Sequence, residues 1–134
     1  MAFNNKPLTE EEKNMIPKLI KVLLKTGPRK KIYSDQLIRG INERLVEFGL
    51  TNKFSGVRLR KVINFMRSEG ILPVLSSRRG YYVSYDEEEL LQNIKSLRER
   101  ASSIIVAADG LEYILKQKRL EDNKTDDLGF TWND

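Results

Sequence analysis

The sequence contains no cysteine and no histidine. Their absence excludes disulfides, thiolate and imidazole metal sites, and the common nucleophile and base pairs of enzymes. No apolar run approaches the roughly 18 residues of a membrane span. The opening MAFNNKPLTEEE lacks the basic, apolar and small-residue pattern of a signal peptide, so a cytoplasmic chain is expected. Carboxylates are left as the main resource for catalysis, as in a two-carboxylate magnesium nuclease. Their clusters fall at 86–89 and 126–127. The first suits the positive end of a helix, and the second lies in a stretch with no rigid frame. No enzymatic activity, metal or cofactor is expected.

What is present is positive charge, unevenly distributed. Residues 1–85 carry 17 Lys or Arg against 7 Asp or Glu, a net of +10, whereas residues 86–134 carry 7 against 12, a net of −5. A basic front half attracts polyanions by releasing their counterions, and nucleic acid is the commonest such partner. A solvated basic surface is the competing reading.

Thr9-Glu10-Glu11-Glu12 has the spacing of a capping box, and Met15, Ile16, Leu19, Ile20, Leu23 and Leu24 follow at helical intervals until Gly27-Pro28. Pro17 inside this run marks either a kink or the true helix start. Lys30 to Tyr33 is long enough only for a short strand. A second helix over 35–48 follows Ser34 or Asp35, with Leu37, Ile38, Ile41, Leu45 and Phe48 on one face and Gly49 as its stop. Ser55 can cap a third helix, Gly56 to Glu69, whose apolar face is Leu59, Val62, Ile63 and Met66 and which Gly70 closes. Two β-prone runs, Ile71 to Leu75 and Tyr81 to Tyr85, flank the polar loop Ser76 to Gly80 and form a hairpin. Pro73 places the first run at a strand's beginning or at an edge.

The last helix opens at Asp86-Glu87-Glu88-Glu89 and extends to about Lys116. Leu90, Ile94, Leu97, Ala101, Ile104, Ala108, Leu111 and Leu115 recur in a 4-3 alternation, a heptad seam suited to a coiled coil. Such a seam either folds back on the first helix or joins two copies as a homodimer, and the parallel, antiparallel and higher-order arrangements all stay open. Gly110 weakens the far end. The division expected is a loose 1–8, a folded head over 9–85, the heptad helix over 86–117 and an acidic, loose tail over 118–134. In the tail, Asp126, Asp127, Leu128, Phe130 and Trp132 combine acids with apolar groups, a composition that suits docking on a basic partner protein or on the chain's own head.

The order helix, short strand, helix, helix, hairpin, helix over residues 9 to about 116 resembles the winged helix-turn-helix family. The resemblance is carried by the helices at 35–48 and 56–69, the connection between them, and the strands flanking Ser76 to Gly80. More narrowly, GYYVSYDEEELLQNIKSLRERASSI is similar to small bacteriophage and prophage proteins that place a winged head before a long helix. The fold class implied is mainly α with a small β-hairpin, and the partner implied is double-stranded DNA.

In that family the helix before the hairpin enters the major groove. On a wheel centred on the apolar face, Val57, Lys61, Asn64 and Ser68 point outward, Arg60 and Arg67 flank one side, and Arg58 and Phe65 flank the other. Asn64 offers the donor and acceptor that grip adenine, Lys61 or Arg60 can donate to guanine, and Val57 can meet a thymine methyl. The base-contact candidates are therefore Val57, Arg60, Lys61 and Asn64. Ser55, Arg58 and Arg67 are candidates for backbone or flanking contacts, joined by Arg29, Lys30 and Lys31. Ser77, Arg78, Arg79 and Gly80 match the wing, whose arginines suit phosphates or a minor groove, while Gly80 supplies a turn conformation. Tyr81, Tyr82 and Tyr85 could stack on unpaired bases, but strand spacing favours core and support. A winged protein-interaction module, recruiting a partner through its long helix and tail, is the alternative to a transcription regulator or a phage replication or packaging accessory.

Overall fold

The computed structural model describes residues 7–128, with side chains described from 7 to 123. The chain divides into two compact units, Met1–Asn93 and Ile94–Asp134. The first unit holds three helices and a hairpin: α1 Glu10–Leu23, α2 Ser34–Asn42, α3 Gly56–Ser68, β1 Val74–Ser77 and β2 Gly80–Val83. A fourth helix, α4, begins at Glu87 within this unit and runs to Leu128. The architecture is mainly α with one small antiparallel hairpin, as the sequence predicts.

Helix α1 starts on a complete capping box. Thr9 Oγ1 accepts from the Glu12 N–H at 3.1 Å, and Glu12 Oε1 accepts from the Thr9 N–H at 2.9 Å. The helix then continues through Pro17 to Leu23 without a break. Leu8 is buried with the core and is not part of a loose N-terminus.

Helix α2 is shorter than its apolar pattern predicts. It begins at Ser34, with Tyr33 as N-cap, and ends at Asn42. Beyond it the Arg44 N–H bonds to the Ile41 carbonyl, a tighter turn than the α-helical ladder. Leu45 and Phe48 still reach the core from the turns that follow, so the apolar pattern records burial correctly and helix length incorrectly. Gly49 takes φ 70°, the left-handed conformation that ends this segment.

The connection to α3 is fixed by Asn42. Its amide donates to the Phe54 carbonyl at 3.0 Å and accepts from the Phe54 N–H at 2.8 Å. Phe54 is fully buried, so this side chain satisfies both backbone groups of a residue locked into the core. Ser55 then caps α3, accepting from the Arg58 N–H at 3.2 Å. Leu59, Val62, Ile63 and Met66 form the buried face. At the far end the Ile71 N–H reaches the Met66 carbonyl at 2.8 Å around Gly70, φ 65°, a left-handed C-terminal cap.

Strands β1 and β2 pair Val74 with Val83, Leu75 with Tyr82, Ser76 with Tyr81 and Ser77 with Gly80. The short strand expected at 30–33 is reduced to single bridges. Ile32 exchanges both backbone hydrogen bonds with Tyr81, at 3.0 and 2.8 Å, and Gly27 pairs with Lys30. Pro73 stands immediately before β1, where its missing donor costs the ladder nothing.

The first turns of α4 are tied to the hairpin. Glu89 accepts from the Tyr82 hydroxyl at 3.3 Å and the Ser84 hydroxyl at 2.6 Å, and Asn93 Oδ1 accepts from the Ser76 N–H at 3.2 Å. The boundary between the units therefore falls after Asn93, beyond the expected boundary at 85. The expected tail from 118 is helical as far as Leu128. Phe130 and Trp132 lie outside the described residues. No described helix is long and apolar enough to cross a membrane.

Candidate nucleic-acid interface

A buried acid sorts the cations of α3 into two groups. Glu12 occupies the apolar stripe of α1 and its side chain is 1% exposed. An ionised carboxylate there requires partners. Arg58 Nε and Lys61 Nζ each stand 2.8 Å from one of its oxygens. Burial opposes ionisation, but hydrogen bonds from Arg58, Lys61 and the Thr9 N–H outweigh it and push the Glu12 carboxyl down to about 2.

These contacts correct the outward assignment of Lys61. Its flexible stem folds back towards α1, and its ammonium neutralises Glu12. Arg58 is committed further, donating to the Lys53 carbonyl at 3.2 Å and lying 5.2 Å from the Phe54 ring centre. Arg67 is turned to the hairpin, donating to the Val74 carbonyl at 2.7 Å and to Ser76 Oγ at 3.3 Å. Three of the four cations on α3 thus join elements of the fold. Ser55 contributes its hydroxyl to the helix cap.

What α3 leaves outward is Val57, 67% exposed, together with Arg60 and Asn64. Positions 57, 60 and 64 follow helical spacing, so one face carries an apolar group, a guanidinium and an amide. Ser68 is half-buried and bonds to the Phe65 carbonyl. Among the described residues, no ion pair or side-chain hydrogen bond engages Arg60 or Asn64.

The hairpin tip presents Arg78 and Arg79, both exposed and likewise free of side-chain partners among the described residues. Ser77 Oγ accepts from the Arg79 N–H at 3.1 Å, which holds the tip in shape. Neither arginine has positive φ, and Gly80 takes φ 112°. The turn conformation expected of Gly80 is present, but a second requirement is stronger. A Cβ at this position would lie 2.1 Å from the Ile32 carbonyl oxygen. Glycine lets the 30–33 segment bridge to β2 at that point. A cleft of about 190 Å³ separates the start of α2, at Tyr33 and Ser34, from Ser77 and Arg78 of the tip.

Arg29 and Lys30 are exposed on the tight turn closed by the Gly27 and Lys30 bridge. Lys31 differs from them, being half-buried with its ammonium 4.7 Å from the centre of the Tyr82 ring. Tyr82 and Val83 are buried, Tyr81 is half-buried and Tyr85 is exposed. Burial, and after it the Glu89 carboxylate, raises the Tyr82 phenol above its ordinary value. Tyr82 therefore supports the hairpin and offers no stacking face.

Two structural roles, that of Asn42 in the turn and that of Glu12 as an ion-pair partner, escape a reading of the sequence in isolation. Asn42 carries no periodic signal, and its role depends on a residue twelve positions away. Glu12 does carry one, because it falls in line with Met15, Ile16, Leu19 and Leu23, and an acid on an apolar stripe demands a cation opposite. Comparison with family models, curated proteins and solved structures returns no match to this chain.

Proposed function

We propose that the head, residues 7–93, binds double-stranded DNA as a winged helix-turn-helix module. Helix α3 enters the major groove and the β1–β2 tip lies along the neighbouring backbone or minor groove. Support comes from the element order, from the Ile32 bridge that adds a third segment to the hairpin, and from the excess positive charge of the front half. The observation that carries the proposal is the division among the arginines and lysines. The fold uses Arg58, Lys61 and Arg67 for itself, and leaves Arg60, Arg78 and Arg79 exposed on α3 and the tip, without an ion pair among the described residues.

On this docking, Asn64 and Arg60 read base edges, Val57 offers an apolar contact to a thymine methyl, and Arg78, Arg79, Arg29 and Lys30 meet phosphates. The resemblance in sequence suits a transcription regulator or a phage replication or packaging accessory. Selection of bound duplexes from a random pool tests the base-reading face. The wild-type chain enriches a defined motif, and Asn64→Ala enriches a more degenerate one at the same salt concentration. Recovery of an unbiased pool by both proteins would contradict base reading by α3.

A further inference from the structure

In the unit Ile94–Asp134, helix α4 carries seven seam residues, from Ile94 to Leu115, that nothing among the described residues covers, while the eighth, Leu90, belongs to the first unit and is half-buried. Ile104 and Leu111 are 69% and 68% exposed, and Ile94, Leu97 and Leu115 are exposed beside them. The seam stops at Leu115, because Lys118 and Asp122 take the next two heptad positions although the helix continues. Helices gain most of their stability in proteins by packing an apolar face, so a seam of this length calls for a partner helix.

We propose that this partner is α4 of a second copy, running antiparallel, with Leu90 opposite Leu115, Ile94 opposite Leu111, Leu97 opposite Ala108, and Ala101 opposite Ile104. The pairing stands independently of what the head binds. Two observations select its direction.

The first is volume. A parallel, in-register pair sets Ala101 against its own copy and Ala108 against its own copy. Two layers would then hold only methyl groups between layers of leucine and isoleucine, leaving voids in the seam. In the antiparallel register every alanine meets a leucine or isoleucine, and all eight seam residues find a partner.

The second is charge. Asp86, Glu87 and Glu88 stand just before the seam, and Lys116, Lys118 and Arg119 just after it, all of them exposed. Antiparallel pairing puts Glu87 beside Lys118 and Asp86 beside Arg119. Parallel pairing stacks acid on acid at one end and base on base at the other, which is unfavourable.

Since the chain has no cysteine, single introduced thiols report the direction without background. Leu97→Cys and Ala108→Cys are prepared separately, one with an added tag, and oxidised alone and mixed. The two positions lie about 16 Å apart along one helix, too far for either variant to link to itself in the antiparallel register. The expected result is a disulfide between the two different variants in the mixture and none in either alone, with the wild-type chain dimeric by solution mass. Self-linking of Leu97→Cys alone, a dimeric wild type whose mixed variants fail to link, or a monomeric wild type at tens of micromolar would each overturn the proposal. The wild-type mass needs no variant, so misfolding of a substituted chain cannot mask the answer.

Discussion

The ammonium of Lys61 lies 2.8 Å from the carboxylate of Glu12, so a cation on the helix offered for base reading holds α3 against α1 instead. Arg58 completes the cluster from the other carboxylate oxygen. The acid is fully buried while its cations are partly exposed, and its removal is therefore gentler than removal of either cation would be.

Acid titration should expose this cluster. The Glu12 carboxyl is depressed from 4.5 to about 2 in the folded chain, so its contribution is fully present above 4.5 and is lost as pH falls from 4.5 towards 2. The size is on the order of 3 kcal/mol. Urea unfolding at a series of pH values checks it. Glu12→Gln should cost about 2 kcal/mol at neutral pH and flatten the stability profile below 4.5. Equal slopes for the two proteins would remove Glu12 from the account. If α3 faces DNA, the same variant should bind duplex more tightly at low salt, because it deletes a negative charge and releases Lys61.

Gly80 and Gly40 should respond in opposite directions to alanine. At Gly80 a Cβ meets the Ile32 backbone at 2.1 Å and the residue has φ 112°, so Gly80→Ala should lower stability by about 2–3 kcal/mol and open the Ile32 bridge. Gly40 lies inside α2, and its Cβ would meet nothing closer than Arg44 Nη1 at 3.8 Å. Gly40→Ala should raise stability by about 0.5–1 kcal/mol. Denaturation midpoints measure both.

Asn42→Ala removes both hydrogen bonds to the Phe54 backbone and leaves a core residue's polar groups without their partner. A loss of about 2 kcal/mol is expected, with hydrogen exchange accelerated at the Phe54 amide. Unchanged exchange there would show that the turn is held by packing alone.

Arg67 and Arg60 separate a folding role from the proposed binding role within one helix. Arg67→Ala breaks its bonds to Val74 and Ser76 and should cost about 1–2 kcal/mol of stability. Arg60→Ala should leave the unfolding free energy within about 0.5 kcal/mol of wild type and weaken duplex binding. The reverse pattern would exchange their assignments.

The elements are legible in the sequence where local chemistry decides them. Thr9 with Glu12, Ser55 and Gly70 mark helix ends through interactions a few residues apart, and the apolar periods identify the core of α3. Apolar spacing makes helix α2 too long, because Leu45 and Phe48 keep helical spacing while the chain turns, and spacing records burial without recording the backbone path. It makes helix α4 too short, because the seam ends at Leu115, whereas the helix needs only residues that favour it. The cations are the hardest to place. Lysine and arginine have long stems, and the choice between solvent and an acid such as Glu12, far away in sequence, is made by tertiary structure. Arg60, Arg78 and Arg79 stay exposed, and among the described residues no ion pair or hydrogen bond engages their guanidinium groups.

Duplex binding through these three arginines is tested most directly by titrating a labelled random duplex at low and at moderate salt. The wild-type chain is compared with the variant Arg60→Ala, Arg78→Ala, Arg79→Ala, both checked for equal unfolding midpoints. Wild type should bind at low salt, weaken as salt rises, and show a salt slope steeper than the variant's by about three, close to one for each phosphate that the variant no longer neutralises. Absence of binding at low salt, or identical slopes for the two proteins, would contradict the assignment of this face to DNA.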